Sequence, residues 1–241
     1  MQAKPPAYPC LIIDHDDTTV MSTPTIHYPA HVEALKRLRP GRKPIDLEGW
    51  LKKNFHPGFR PYLEEELGWS PSEVEAAYRV WRDYTNERIP SFFPGLFSIL
   101  REYRRRGGLL VVVSHSDVDL IERDYRAASA EAGPAEGLFP DLVFGWTEDP
   151  ARRKPDPYPV LETMKRFALR PEDILVLDDL KPGADMAAAA GVACAAAGWG
   201  YDVPEIREAM LASCVRYFST VAEFGDFILG EKAGPAPAER S

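Results

Sequence analysis

The chain has 241 residues, of which 45% are hydrophobic and 27% charged, enough to close a sizeable core. Its net charge of -8 speaks against a general nucleic-acid binder, which is ordinarily basic. Three cysteines match no zinc or redox spacing, no apolar run reaches bilayer length and no signal-peptide pattern opens the chain, so a soluble, cytoplasmic protein is expected.

The first predicted element is a buried strand at Cys10–Ile13, which ends in Asp14, Asp16 and Asp17, with Thr18 next. Residues 25–38, 47–55 and 59–67 then read as helices. Ser70, Pro71 and Glu73 form a helix-start signal: a capping hydroxyl, a proline at the first position and an acid three residues on. The helix that follows is expected to run to about Ile89, with Val74, Ala77, Tyr78, Trp81 and Tyr84 on its core face. Residues 97–106 form another helix, closed by Gly107 and Gly108. A second strand, Leu109–Val113, leads into Ser114 and His115. A helix over 118–132, a strand at 142–144 and a loop carrying Lys154 follow. Next come a helix over 160–168, a strand at 174–177 ending in Asp178 and Asp179, and an alanine-rich helix over 185–190. Short strands at 192–195 and 216–218 complete the pattern, and 231–241 reads as a flexible tail.

Strands alternating with helices predict an α/β fold: a doubly wound, mostly parallel, Rossmann-like sheet. The strand-free stretch 21–90 predicts an inserted helical cap, leaving 1–20 and 91–230 as the catalytic core. Strand ends on one edge would bring Asp14, Asp16, Ser114, Lys154, Asp178 and Asp179 into one cleft. Crowded carboxylates repel unless a cation relieves them, and their hard oxygens suit magnesium. With a phosphate ester in that cleft, Asp14 can attack phosphorus and Asp16 can serve as acid and then base. Ser114 can bond a phosphoryl oxygen, and Lys154 can offset developing charge and hold Asp14. Asp14, the Asp16 backbone carbonyl, Asp178 and Asp179 can hold the metal. Thr18 and His115 are expected to add contacts to the phosphate or the substrate.

Four short motifs in order carry a resemblance. They are Asp14-x-Asp16-x-Thr18, Ser114 after its apolar run, Lys154-Pro155-x-Pro157, and Asp178-Asp179 followed by a helix of small residues. The chain resembles the haloacid dehalogenase superfamily, in the phosphatase branch with a helical cap after the first strand. That resemblance implies an Asp nucleophile, a second Asp as acid/base, and magnesium. It departs from the family at Asp17, where glycine is usual, and at His15, where an apolar residue is usual. Its acid pair is adjacent, with Asp185 further along as a weaker candidate.

The expected activity is hydrolysis of a small phosphorylated metabolite through an aspartyl-phosphate. A phosphomutase with the same intermediate, or a non-catalytic binder of phosphorylated ligands, are the alternatives, and dehalogenation ranks below them. Neither nucleic acid nor membrane is an expected partner, and oligomeric state stays open. His15 is expected to line the pocket. His27 and His31, at helical spacing, read as solvated or pocket-lining rather than as zinc ligands. Cys10 and Cys194 read as small core residues.

Overall fold

The computed structural model describes residues 5–133 and 136–230. The sequence-predicted tail at 231–241 lies outside the described residues. Six strands are present among them: β1 Cys10–Ile13, β2 Leu109–Val113, β3 Leu142–Phe144, β4 Ile174–Asp178, β5 Ala193–Ala197 and β6 Arg216–Phe218. All pair in parallel, in the order β3-β2-β1-β4-β5-β6. The order reverses between β1 and β4, which is where doubly wound sheets open a crevice beyond the carboxyl ends of their strands.

Both faces of the central strands are covered, which explains their nearly uninterrupted apolar sequences. Leu11, Ile13, Leu110, Val112, Leu175 and Leu177 face one cluster with Tyr103, Tyr125 and Phe224. The alternate residues Cys10, Ile12, Val111, Ile174 and Val176 are equally buried. Register ties the strand ends together. Ile13 lies opposite both Val112 and Leu177, so β1, β2 and β4 finish nearly level.

The helices are α1 Tyr28–Leu38, α2 Leu47–Phe55, α3 Phe59–Pro61, α4 Pro71–Asn86, α5 Leu96–Arg105, α6 Val118–Ala132, α7 Tyr158–Phe167, α8 Lys181–Ala190, α9 Pro204–Ser213 and α10 Val221–Ile228. None is long and apolar enough to cross a membrane. The chain divides into two compact units, one of residues up to Val20 and from Phe92 onward, the other Met21–Ser91.

The sheet and α5–α10 belong to the first unit. Helices α1–α4 build the second around Leu35, Trp50, Tyr62, Leu63, Trp69, Ala77 and Val80. The predicted start at Ser70 holds: its hydroxyl accepts from the Glu73 amide, and the Glu73 carboxylate accepts from the Ser70 amide. The helix stops at Asn86 rather than near Ile89. Its buried face is Ala77, Val80 and Thr85, whereas Tyr78 is 40% exposed and Trp81 and Tyr84 are half-buried, so the expected aromatic core stripe is not its core. The smaller Ala and Val side chains permit the closer approach of α4 to α1.

His31 is buried against Trp50, 4.3 Å between ring centroids, and burial lowers its pKa to about 4. It is a neutral core residue of the helical unit at pH 7, not a solvated one. His27 accepts a hydrogen bond from the Trp81 indole at 2.9 Å.

Candidate active site

The site is assembled where the switch point predicts. The Asp14 amide donates to Leu177 O at 2.9 Å, which sets Asp14 beside the end of β4 and its terminal Asp178. Across β2, the Ser114 amide donates to Phe144 O at 2.9 Å, which sets the Ser114–Ser116 turn on the other side of β1. Lys154 comes from the loop before α7 and is 6% exposed. Its ammonium donates to Asp14 Oδ1 at 2.6 Å and to Asp178 Oδ2 at 2.7 Å.

Lys154 thus bridges two buried acids. Burial opposes its charge, but Asp14 and Asp178 outweigh that cost and hold its pKa above the ordinary value. The Asp14 pKa is raised too, which here disfavours the charged form. Burial raises its pKa to about 7, with Lys154 lowering it and Asp178 and Asp16 adding to the rise. Asp179 is also held well above the ordinary carboxylate range, by burial first and then by Asp14, Asp178 and Asp17.

These shifts test whether a cation fits. Ligand oxygens of Asp14, Asp178 and Asp179 lie within 4.8 Å of one another, and all three residues are buried. Lys154 carries one positive charge against these three carboxyls, and the raised pKa values of Asp14 and Asp179 express the excess. A hard divalent cation bound by carboxylate oxygens relieves it, so the donor set fits such an ion.

Each candidate residue has a distinct setting. The Asp16 carboxylate faces the Ser114–Ser116 turn, accepting from Ser114 Oγ at 3.3 Å and from Ser116 Oγ at 2.6 Å. Ser114 Oγ also accepts from the Ser116 amide at 3.1 Å. Thr18 Oγ1 donates to Asp179 Oδ1 at 2.9 Å, so its hydroxyl steadies an acid of the cluster. His115 Nε2 lies 2.8 Å from the Lys154 carbonyl. Facing a carbonyl, that nitrogen must carry the proton, and His115 anchors the lysine loop. Protein packed around the ring, then Lys154 and Arg153, lowers its pKa to about 4.

Two departures noted in the sequence resolve differently. Asp17 adopts φ 58, the left-handed conformation that makes glycine the usual choice there. Its carbonyl packs so closely on Gly200 that a Cβ at 200 would stand 2.6 Å from it. His15 does not line the pocket. It is 1% exposed, with Nε2 3.1 Å from Asp124 Oδ2, and its ring stacks on Tyr125. Asp185 sits on the exposed side of α8, paired with Lys181, and takes no part in the cluster. Helix α8 starts at Lys181, four residues earlier than expected.

Three residues of the site are not legible as such in the sequence. Ser116 donates to Asp16 at 2.6 Å, and its one signal is a second hydroxyl two residues after Ser114. Tyr201 donates to Asp179 Oδ2 at 2.9 Å, from a connection 22 residues away in sequence. Gly183 lies so close to Asp178 that any Cβ would overlap the carboxylate. Only the fold brings Tyr201 and Gly183 to the acids.

A parallel sheet with acids, hydroxyls and one buried lysine gathered at its switch point defines an α/β enzyme of the acid-cluster kind. The chain belongs to the haloacid dehalogenase-like hydrolases, whose family model matches residues 8–191. Among curated proteins it is similar to phosphoglycolate phosphatase 1 of Pseudomonas aeruginosa, 28% identical over 200 residues, covering 80% of this chain and 70% of that protein. It is also similar to a phosphoglycolate phosphatase of Mesorhizobium japonicum, 22% identical over 222 residues, covering 88% and 92% of the two chains. Among solved structures, CbbY from Rhodobacter sphaeroides, crystallised with phosphate, superposes with a TM-score of 0.69 at 21% identity. That match covers 90% of this chain and 96% of that one.

Proposed function

We propose that the protein hydrolyses a small phosphomonoester, with magnesium as its metal, through a phosphorylated Asp14. The observation that carries this reading is the pairing of Asp14 with Lys154 while Asp16, two residues on, is held apart by the Ser114–Ser116 turn. One acid is thereby committed to the ammonium and the metal cluster, and the other is left to exchange protons. The two curated relatives, both phosphoglycolate phosphatases, support phosphoglycolate and similar short phosphorylated acids as the first substrates to try.

In the first step Asp14 attacks phosphorus, and the bond to the leaving oxygen breaks. Asp16 gives that oxygen its proton, so the alcohol leaves neutral. Asp16, now ionised, takes a proton from water, and the water oxygen attacks the phosphorus of the aspartyl-phosphate. The acyl-phosphate P–O bond breaks, phosphate departs, and Asp14 returns to its carboxylate. Lys154 orients Asp14 and offsets charge gathering on the phosphoryl oxygens. Ser114 contributes a hydroxyl to the same group. His115 serves by keeping Lys154 in place, and Thr18 by keeping Asp179. Magnesium, held by Asp14, Asp178, Asp179 and the Asp16 carbonyl, would screen the carboxylate nucleophile from an anionic substrate. In this reading residues 21–90 act as a substrate-selecting cap on a catalytic core formed by 1–20 and 91–230.

The test is phosphate release from a panel of phosphoglycolate, sugar phosphates and nucleotides, with magnesium and with chelator. Magnesium-dependent release, lost in Asp14→Asn, is the expected result. Full activity in that variant would remove Asp14 as nucleophile. Conversion of a sugar phosphate to its isomer without phosphate release would make the enzyme a mutase.

A further inference from the structure

Outside the active site, the first unit holds two free cysteines in contact. Cys194 lies in β5 and Cys214 immediately follows α9, and their sulfurs are 3.5 Å apart. The two are joined through a short chain of contacts. Cys214 Sγ donates to Cys194 Sγ, and Cys194 Sγ donates to Ala195 O at 3.7 Å. The backbone is equally close, since the Val215 amide donates to Cys194 O at 2.8 Å. Cys194 is buried, whereas Cys214 is half-buried and so reaches solvent. The third cysteine, Cys10, is buried in β1, at 0% exposure.

We propose that Cys194 and Cys214 form an oxidation site: a thiol pair that hydrogen peroxide converts to an intrachain disulfide. The asymmetry in exposure sets the order of events. The Cys214 thiol gives up its proton and its sulfur attacks one oxygen of hydrogen peroxide: an S–O bond forms, the O–O bond breaks, and the departing hydroxide takes that proton and leaves as water. Cys194 then attacks the sulfenic sulfur of Cys214. The S–S bond forms, the S–O bond breaks, and the second water carries away the hydroxyl and the Cys194 proton. Overall two thiols lose two electrons and two protons to one peroxide. A bonded pair stands about 2 Å apart, so the sulfurs must close by about 1.5 Å. The Cys214 amide still donates to Met210 O at 3.0 Å, so the closure is a matter of side-chain rotation at the two cysteines rather than of backbone movement.

The location gives the bond a consequence. The loop it closes runs from 194 to 214 and contains Tyr201, whose hydroxyl holds Asp179. Cross-linking therefore ties down the connection that carries a positioning residue of the acid cluster. Closing a loop of this length restricts the unfolded chain and is expected to raise Tm by several degrees.

The test treats the full chain with hydrogen peroxide and follows it by mass spectrometry under non-reducing conditions. Arg207 separates the cysteines, so trypsin places them on different peptides unless they are bonded. The expected result is one linked peptide pair, lighter by two hydrogens and released by dithiothreitol. A rise in Tm should accompany it, and Cys214→Ser should show neither. Two results would overturn the proposal. One is oxidation of Cys214 to its sulfinic acid while Cys194 still alkylates with iodoacetamide after unfolding. The other is a linked pair joining two chains rather than one. Because the readout is the bond itself, failure here leaves the phosphatase reading standing, and failure of that reading leaves the bond.

Discussion

Replacing Asp14 by Asn should abolish turnover and, without a divalent cation, make the fold more stable at pH 8. The carboxyl of Asp14 is raised from an ordinary 3.8 to about 7 by burial and by Asp178 and Asp16, against the pull of Lys154. A group with a raised pKa in the folded state contributes most stability below its unfolded pKa and loses it as pH rises through the folded value. For Asp14 the loss runs between pH 3.8 and about 7. At 1.36 kcal/mol per pH unit the full penalty is about 4 kcal/mol, an upper figure for a buried cluster. Asparagine resembles the protonated acid in shape and carries no charge, so it escapes this penalty. Wild type and variant should therefore unfold together at pH 4 and part by up to about 4 kcal/mol at pH 8. Urea titrations at the two pH values, with chelator, measure the gap. Magnesium should then narrow it, because the intact cluster of the wild type binds the cation more tightly than the variant, which lacks one of three carboxylates. If the variant matches or falls below wild type at pH 8 with chelator, the uncompensated charge assigned to the cluster is wrong.

Other substitutions probe its supports. Ser116→Ala removes the 2.6 Å hydrogen bond to Asp16 and should lower kcat about tenfold with little change in KM, since a bond to a charged acceptor contributes about 1.5 kcal/mol or more. Tyr201→Phe should weaken magnesium binding by about tenfold in calorimetry while leaving the metal-free Tm nearly unchanged. Gly183→Ala places a methyl group against the Asp178 carboxylate. It should lower Tm, at a cost of roughly 1–3 kcal/mol, and impair phosphate release as Asp178 is pushed off Lys154.

Much of the local chemistry is legible in the order of the residues alone. The apolar runs at 10–13, 109–113 and 174–177 announce strands, because a strand buried on both faces needs no polar alternation. Ser70 and Glu73 announce a helix start through bonds that reach only three residues. The ordering of strand, inserted helices and alternating units is enough to expect the parallel sheet, since right-handed crossovers leave few other topologies. The four motifs mark Asp14, Ser114, Lys154 and Asp178 because each stands at a strand end or in a proline-framed loop.

What the sequence could not decide was partnership. Helical period sets Val74, Ala77, Tyr78, Trp81 and Tyr84 on one face, but only Ala77 of these is buried, joined by Val80 and Thr85. His15 stands next to Asp14 in the chain, yet successive residues at a strand end point opposite ways, and its ring turns into the core toward Asp124. Asp17 can be recognised as a departure, but only the backbone reveals that it takes the glycine-like conformation. Tyr201, Gly183 and the Cys194–Cys214 pair depend on contacts between segments about 5–22 residues apart, set by sheet register and helix packing. Motif spacing therefore determined which acids meet, whereas tertiary packing decided which neighbours hold them and how much charge they carry, because desolvation and distance exist only in the folded chain.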